Sequence, residues 1–291
     1  MIGSISGDIV GSIYEEIDFS SKDFDFLTSS NRFTDDTVMT LALANALFLT
    51  RKDRSNLEEV VVNEMLRLGR MYPRLRWGKK FGDWLFRYSV QVPLNSYGNG
   101  SAMRIAPVAW VANSKEELYD LCDKVTRVTH NHPEGMKGAR AIALATYLAR
   151  SGFSKKEIRN ELTSFYPELE NMSVQSIVAS GYGDNPTISW VTCQGSVPQA
   201  ITCFLDSTSF EDAIRNAIYI NGDSDTLACM TGSIAEAYYG VNYDLENKIE
   251  EYLDDELKSI IFAFRLIKQK RIVNPSKIMC DIDWDNLTKK K

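Results

Sequence analysis

Two short stretches of this sequence concentrate carboxylate and hydroxyl side chains where a helix is predicted to begin. They are "TDDT" at residues 34–37 and "DSDT" at residues 223–226, each followed by an apolar segment. Because Thr and Asp are favoured N-caps and acids stabilise the positive helix end, capping alone would explain either stretch. Both helices look apolar on every side, however, which predicts that their N-termini lie inside the protein. Buried carboxylates without cationic partners are costly unless they take up protons or hold a metal.

The ligands that these stretches offer are hydroxyl and carboxylate oxygens, with no thiolate. Such a set suits a hard cation, Mg²⁺ or Mn²⁺, better than zinc or copper. Up to four carboxylates could neutralise two divalent ions, which can clamp a reacting oxygen and activate water. A competing interpretation compares "DSDTL" with the DxDx(T/V) nucleophile motif of haloacid-dehalogenase-type phosphohydrolases. Against it, Leu227 stands where that motif has Thr or Val, and the surrounding α/β pattern is absent.

A third stretch, "SYGNGSAMR" at residues 96–104, offers small residues whose backbone amides can approach a ligand closely. We call it the glycine corner. It is neither a P-loop nor a GxGxxG dinucleotide fingerprint, and a plain glycine turn is the alternative. The chain's two histidines, His130 and His132, both lie in "THNHPEG" at residues 129–135, the histidine loop. Since histidine is a poor ligand for a hard metal, we predict a role in ligand contact, with a structural role as the alternative.

The composition restricts the class of protein. The chain has 291 residues, of which 44% are hydrophobic and 25% charged, as in globular proteins. The net charge of −6 argues against a general nucleic-acid binder. Neither a membrane span of ~20 apolar residues nor a signal peptide is predicted. Five cysteines without a CxxC pair favour reduced thiols in a cytoplasmic protein.

The periodicity of the sequence predicts an all-α fold. Helical patterns begin at Asp35, Asn56, Met136, Ser154, Phe210, Ser224 and Glu246, the last as one long helix. The best strand candidate is "TISWVTC" near residue 190. Since no repeat, low-complexity tract or clear linker interrupts the chain, we expect a single domain over residues 1–291.

One further region, residues 67–88, mixes many basic residues with Tyr72, Trp77, Phe81 and Trp84. We call it the basic-aromatic region. Such mixing can stack bases and bind phosphates, which would fit a nucleic acid. A helix pair with a solvated basic face is the simpler interpretation. An intermediate one is that the region forms a rim that attracts an anionic substrate.

Taken in order, five segments resemble the ADP-ribosylglycohydrolase family, which includes the dinitrogenase-reductase-activating glycohydrolase. They are "GDIVGSIYE", "FTDDT", "YGNGSAMR", "THNHPEG" and "GDSDT", and they extend from residue 7 to residue 226. The resemblance implies an all-α orthogonal multi-helical bundle around a binuclear Mg²⁺ or Mn²⁺ site at the base of a cleft.

The resemblance also implies roles for individual residues. Glu15 matches a family glutamate implicated in catalysis and in gating of the metal site, and Asp8 opens the same motif. The metal ligands match Thr34, Asp35, Asp36, Asp223, Asp225 and Thr226. The residues that contact the substrate match Asp8, Tyr97, Gly98, Asn99, Gly100, Ser101, Met103, His130, His132 and Gly135.

The implied reaction is cleavage of the bond at the anomeric carbon of ADP-ribose in a protein side-chain conjugate or a related small conjugate. A carboxylate, either Glu15 or Asp35, accepts the proton of the attacking water. We expect a cytoplasmic monomer with two Mg²⁺ or Mn²⁺ ions and with neither a membrane nor a nucleic acid as partner. The alternatives are a non-catalytic member, as some crystallins resemble this family, and a metal-dependent nucleotide phosphohydrolase.

The sequence also bears on which linkage is cut. An arginine-specific site must satisfy a guanidinium, and an acidic residue near the mouth is the natural partner. The segment "VPLNSYGNG" that leads into the glycine corner contains no acid. This favours a neutral linkage, such as an O-linked serine, an ester or a small-molecule derivative. Arginine stays open, because an acid such as Asp83 or Asp184 could come from elsewhere in the fold.

Overall fold

The computed structural model describes residues 1–15, 17, 19, 21–184 and 189–271, with backbone alone at residues 184 and 267–271. The first helices are α1 (Ile2–Gly11), α2 (Asp35–Leu49), α3 (Leu57–Met71), α4 (Lys79–Phe86) and α5 (Gly100–Met103). The middle helices are α6 (Ala106–Val111), α7 (Lys115–Arg127), α8 (Pro133–Arg150), α9 (Lys155–Leu162) and α10 (Val174–Ala179). The last helices are α11 (Cys193–Leu205), α12 (Phe210–Tyr219), α13 (Ser224–Tyr239), α14 (Tyr243–Glu250) and α15 (Asp255–Arg271). Short 3₁₀ helices cover Pro167–Glu170 and Tyr182–Asp184.

The all-α prediction is confirmed, and the predicted strand near residue 190 is wrong. Of that stretch, the described residues contribute an isolated antiparallel bridge between Gly98 and Thr192, while residues 187 and 188 lie outside the described residues. The strand-like pattern of this stretch does not continue as a strand, because the side chain of Thr192 caps α11. Thr192 Oγ1 accepts a 3.2 Å hydrogen bond from Gly195 N. A β-branched residue that fits a strand pattern is thus a helix N-cap.

The prediction of one long helix from Glu246 is also wrong. The chain forms α14 and α15 with a break at residues 251–254. Leu257 N donates a 3.1 Å hydrogen bond to Asp254 Oδ1, so an aspartate inside the predicted helix starts a new one. Leu253 is buried in the break, which turns the chain back onto the core.

The helix that carries "DSDT", α13, is buried from Ser224 to Glu236 and contacts α1, α8, α11 and α12. Its approach to α1 depends on glycines spaced four residues apart. A Cβ on Gly7 would lie 2.0 Å from Ala228 O, and one on Gly11 would lie 2.5 Å from Asp225 Cα. No side chain fits at either position, so these glycines let α1 lie directly against the start of α13.

The turn before α13 has a specific backbone shape. Asn221 and Gly222 both adopt left-handed conformations, with φ of 63° and 98°. Asparagine and glycine are the residues that tolerate this region best, which explains "NG" ahead of the acidic stretch. The turn delivers Asp223 to the N-cap position of α13.

The four cysteines in the described residues are buried and free, as predicted, and Cys280 lies outside the described residues. Among the helices in the described part of the chain, none combines the length and apolar character needed to cross a membrane.

Candidate active site and metal centre

The acidic cluster begins with Asp8, which is fully buried on α1. Its carboxylate accepts hydrogen bonds from Thr34 N at 2.9 Å, Thr34 Oγ1 at 2.6 Å and Thr37 N at 3.0 Å. The two backbone amides lie at the N-terminus of α2 and have no acceptor within that helix. The Asp8 carboxylate of α1 supplies the acceptor. The close contact of α1 with α13 therefore also fixes the start of α2.

The second part of the cluster belongs to α13. Asp223 Oδ2 accepts a 2.6 Å hydrogen bond from Asn99 Nδ2, which connects the glycine corner to this helix. Thr226 Oγ1 donates to Asp36 Oδ2 at 3.2 Å, and Thr226 N donates to Asp225 Oδ1 at 2.8 Å. The two acidic stretches of the sequence thus meet at one place in the fold.

Two groups of carboxylates within this cluster have the spacing of metal ligands. Asp8, Asp36 and Asp225 form one group, and Glu15, Asp223 and Asp225 form the other. Within each group the ligand oxygens lie within 4.8 Å of one another, and Asp225 belongs to both. In addition, Asp36 Oδ1 is buried and has no hydrogen-bond partner among the described residues. An all-oxygen donor set with an unpartnered buried oxygen fits a hard divalent cation.

Burial and mutual repulsion raise the pKa values of these carboxyl groups. Burial, followed by the charge of Asp8, raises the pKa of Asp35 to about 8. The same two causes raise the pKa of Asp36 well above its ordinary value, and burial with the charge of Asp36 does so for the pKa of Asp225. So many carboxyl groups cannot all be ionised here unless positive charge compensates them.

A cavity of about 430 Å³ lies against the cluster. The acidic stretches and the segment after α1 contribute Glu15, Asp35, Asp36, Asp223, Asp225 and Thr226 to its wall. The glycine corner contributes Ser96, Gly98, Asn99, Gly100, Met103 and Arg104. His130 and Val191 complete this side of the wall.

Some residues that the sequence marked for the site lie outside the cavity wall. Asp8 belongs to the cluster but does not line the cavity, and Thr34 donates two hydrogen bonds to it. Ser101 donates a 2.9 Å hydrogen bond to Gly135 O, so these two residues join the glycine corner to the histidine loop. A Cβ on Gly135 would lie 2.6 Å from Ser96 O, which explains the glycine.

Tyr97 and His132 form a pair at the outer surface. Their ring centroids are 5.1 Å apart, and Tyr97 is 47% exposed. His132 Nδ1 accepts a 3.2 Å hydrogen bond from Glu134 N and so caps α8. The two histidines therefore have different environments, since His130 is buried and faces the cavity.

The basic-aromatic region also contributes to the wall of the cavity. Its lining residues are Arg76, Gly78, Lys79, Lys80 and Phe81. Arg76 Nη1 lies 3.7 Å from Glu15 Oε2. The sequence marked this region by its composition but did not connect it to the acidic cluster, because the contact is between residues far apart in the chain.

The fold and the site define an all-α protein with an acidic cluster in the wall of a cavity. The chain belongs to the ADP-ribosylglycohydrolase family, whose model matches residues 1–269. It is 31% identical over 185 residues to ADP-ribosylhydrolase ARH3 of Mus musculus, covering 50% of each chain. It is 29% identical over 156 residues to ADP-ribosylarginine hydrolase Tri1 of Pseudomonas putida, covering 50% of this chain and 39% of that one.

The fold is similar to that of a solved structure, an ADP-ribosylglycohydrolase-related protein complex. The TM-score is 0.65 at 21% identity, over 92% of this chain and 95% of that one. In the two curated relatives, the matched region spans half of the length or less. The family membership and the all-α fold expected from the sequence are therefore confirmed.

Proposed function

We propose that this protein is a metal-dependent hydrolase that cleaves the anomeric bond of ADP-ribose conjugates. The observation that carries the proposal is the pair of carboxylate groups sharing Asp225 at the wall of the cavity. Family membership supports the reaction class, since the relatives above are named as hydrolases of ADP-ribosyl groups.

Two Mg²⁺ or Mn²⁺ ions would fit the two groups, one with Asp8, Asp36 and Asp225 as ligands and the other with Glu15, Asp223 and Asp225. Compared with the ligands expected from the sequence, this proposal adds Asp8 and Glu15 and leaves Thr34, Asp35 and Thr226 beside the ions. When bound, the ions supply positive charge that ionises the carboxylates and polarises a water or a sugar oxygen. Asp35 and Thr226 line the cavity beside them, and Thr34 holds Asp8 and the start of α2 in place.

We assign proton acceptance from the attacking water to Glu15, through the carboxylate oxygen that would not hold an ion. Its carboxylate is 31% exposed and lines the cavity, so water reaches it. The other candidate base, Asp35, has a pKa that burial and the charge of Asp8 raise to about 8. Without ions, Asp35 is therefore mostly protonated at neutral pH. The water oxygen bonds to the anomeric carbon while the bond from that carbon to the leaving group breaks. The water proton passes to Glu15 Oε, and the leaving group takes up a proton from solvent as it departs.

The lining of the cavity suits an ADP-ribose conjugate in two respects. Arg76, Lys79 and Lys80 line one wall and can attract the diphosphate, in agreement with the rim interpretation of the basic-aromatic region. Gly98 and Gly100 line the same cavity, and because they carry no side chain a ligand can approach the backbone of the glycine corner closely. The volume of about 430 Å³ falls in the range of small-molecule sites.

We further propose that the linkage is neutral rather than an arginine guanidinium. Three cations, Arg76, Lys79 and Lys80, line the cavity and repel a guanidinium, while the proposed ions would neutralise the carboxylates that could attract it. Asp83 does not line the cavity and pairs with Arg87 at 3.2 Å, and the side chain of Asp184 lies outside the described residues. The name of the Pseudomonas relative specifies arginine, so an assay has to decide between the linkages.

The decisive experiment incubates the protein with ADP-ribosylated protein and with free nucleotides, each with Mg²⁺ and with EDTA. We expect release of ADP-ribose in the presence of Mg²⁺ alone. Hydrolysis of nucleotides without release of ADP-ribose would instead identify a phosphohydrolase. Binding of ADP-ribose without turnover in either assay would identify a non-catalytic member, and full activity in EDTA would contradict the metal-dependent mechanism.

A further inference from the structure

A chain of three buried side chains connects the end of α5 to the cavity. Arg104, which is 2% exposed, donates a 2.6 Å hydrogen bond from Nη2 to Thr129 Oγ1. Thr129 Oγ1 lies 2.8 Å from His130 Nδ1, and Arg104 Nη2 lies 3.5 Å from the same nitrogen. His130 lines the cavity, and its Nε2 lies next to Gly98 and Gly100, which also line it.

The donors and acceptors of this chain have one consistent assignment. A guanidinium can only donate hydrogen bonds, so Thr129 Oγ1 is the acceptor from Arg104. The single hydroxyl proton of Thr129 then donates to His130 Nδ1, which must carry a lone pair. In the other tautomer, Nδ1–H would face a guanidinium N–H, and the buried hydroxyl of Thr129 would lose its acceptor, at a cost of ~1–3 kcal/mol.

We infer that Arg104 and Thr129 are positioning residues that hold His130 as its neutral Nε2–H tautomer, so that Nε2–H is a fixed hydrogen-bond donor in the cavity. Within the described part of the chain, Nε2 makes no hydrogen bond. It faces the glycine corner, because a Cβ on Gly100 would lie 3.5 Å from it and a Cβ on Gly98 would lie 3.8 Å from it.

The electrostatic environment agrees with a neutral ring, and the hydrogen bonds above select the tautomer. Burial, and then the charge of Arg104, lower the pKa of His130 well below its ordinary value, so the ring is neutral at physiological pH. A neutral ring whose accessible nitrogen bears the proton is a donor and cannot serve as a metal ligand through that nitrogen. The partner that fits is an acceptor oxygen of the ligand. Under the proposed function, on which this last step rests, it is an oxygen of ADP-ribose beside the glycine corner.

The protonation of the ring can be observed directly by ¹⁵N NMR, which distinguishes a nitrogen that bears hydrogen from one with a lone pair. The chain has two histidines, so His132→Asn, which retains a capping side chain for α8, assigns the remaining signals to His130. We expect the unliganded protein to show Nδ1 with a lone pair and Nε2 with hydrogen. An Nδ1–H signal would overturn the inference.

Two substitutions at one position test the role of Thr129. Thr129→Val keeps the shape but removes the hydroxyl, and we expect His130 to become a mixture of tautomers. Thr129→Ser restores the hydroxyl and should restore the single tautomer, which a purely structural effect of the position would not do. Circular dichroism checks that both variants are folded. An unchanged single tautomer in folded Thr129→Val would show that Thr129 does not fix the ring.

Addition of ADP-ribose separates this inference from the proposed function. We expect the His130 Nε2–H resonance to shift in the wild type, and Thr129→Val to bind ADP-ribose roughly tenfold more weakly than Thr129→Ser, or about 1.4 kcal/mol. Calorimetric binding without a shift of that resonance would overturn the donor role. Failure to bind at all would count against the proposed function, whereas the tautomer measured without ligand decides the role of Arg104 and Thr129 by itself.

Discussion

Thr226 Oγ1 donates a 3.2 Å hydrogen bond to Asp36 Oδ2, and this contact joins the first turns of α13 and α2 across 190 positions of sequence. Each residue belongs to a stretch that would by itself be explained as a helix cap. The contact brings the acidic residues of both stretches together in a buried place, where capping no longer accounts for their number. Substitutions in this cluster and in the cavity beside it should therefore affect metal binding and ligand binding in different ways.

Asp225 should be essential for metal binding, because it belongs to both carboxylate groups. We expect Asp225→Ala to lose metal affinity and turnover together, by more than the roughly 10- to 100-fold that loss of an outer-shell partner costs. Calorimetry with Mn²⁺ and an ADP-ribose release assay measure the two effects. Asp244→Ala removes an exposed carboxylate outside the cavity and should behave as wild type. Normal metal affinity and turnover in Asp225→Ala would mean that the acidic stretch only caps α13.

The stability of the protein in EDTA should fall as the pH rises. Burial and Asp8 raise the pKa of Asp35 from 3.8 to about 8, so the folded state binds this proton more tightly than the unfolded state does. The resulting stability is fully present below about pH 4 and is lost as the pH rises through about 8. For a large domain, about 1 kcal/mol corresponds to a change in Tm of ~2–4 °C.

Thermal unfolding at pH 6 and pH 8.5, in EDTA and in Mg²⁺, measures this effect. We expect a lower Tm at pH 8.5 in EDTA and a smaller difference in Mg²⁺, since bound cations replace the protons. Asp35→Asn, which cannot ionise, should reduce the difference in EDTA. If the Tm in EDTA were higher at pH 8.5 than at pH 6, the carboxyl groups would not be protonated in the folded state as inferred.

The glycine corner should control affinity for ADP-ribose more than affinity for the metal. A Cβ on Gly100 would lie 3.5 Å from His130 Nε2 and 3.9 Å from Met103 Sδ, which is ordinary contact. Gly100→Ala should therefore be mild, whereas the larger, branched side chain of Gly100→Val would crowd His130 and Met103 in the cavity wall and should weaken ADP-ribose binding by roughly tenfold. Calorimetry with ADP-ribose and with Mn²⁺ separates the two affinities.

A matched control for that experiment is Gly78, which also lines the cavity but where an added Cβ would have no atom within 4 Å. Gly78→Ala should leave ADP-ribose binding close to the wild-type value. If folded Gly100→Val bound ADP-ribose as well as the wild type, the glycine corner would not belong to the binding site.

The basic wall of the cavity should act on the diphosphate through charge. We expect Lys79→Gln combined with Lys80→Gln to weaken ADP-ribose binding by roughly threefold to fivefold at low salt and to flatten its salt dependence. Lys156→Gln, an exposed lysine on α9 outside the cavity, is the matched control. Equal salt dependence in the double variant and the wild type would remove these lysines from the binding site.

The choice of linkage is tested by arginine-linked and serine-linked ADP-ribosyl peptides at equal concentration. We expect the serine-linked peptide to be cleaved faster, because Arg76, Lys79 and Lys80 line the cavity and repel a guanidinium. Arg76→Glu should shift the preference towards the arginine peptide. A clear preference of the wild type for the arginine peptide would show that the proposal of a neutral linkage is wrong.

Local patterns in the sequence were sufficient for the fold class and for most helices. The helices predicted from Asp35, Ser154, Phe210 and Ser224 are present, because caps and helical periodicity are properties of neighbouring residues. The same locality caused the two errors. Periodicity predicts that Thr192 lies in a strand and that Asp254 lies inside a helix. In the structure the side chain of each residue caps the start of a helix, and whether a helix starts there depends on how the chain packs.

By itself, the sequence determined that two acidic stretches exist and that their chemistry suits hard cations. Only the tertiary structure decided that the stretches meet, because Gly7 and Gly11 allow α1 to lie against α13 and Asp8 then anchors α2. It also placed Arg76 and Phe81 in the wall of the same cavity as the acidic cluster and connected Arg104 to His130 through Thr129. These contacts depend on close packing between helices far apart in the chain, which periodicity and capping do not encode.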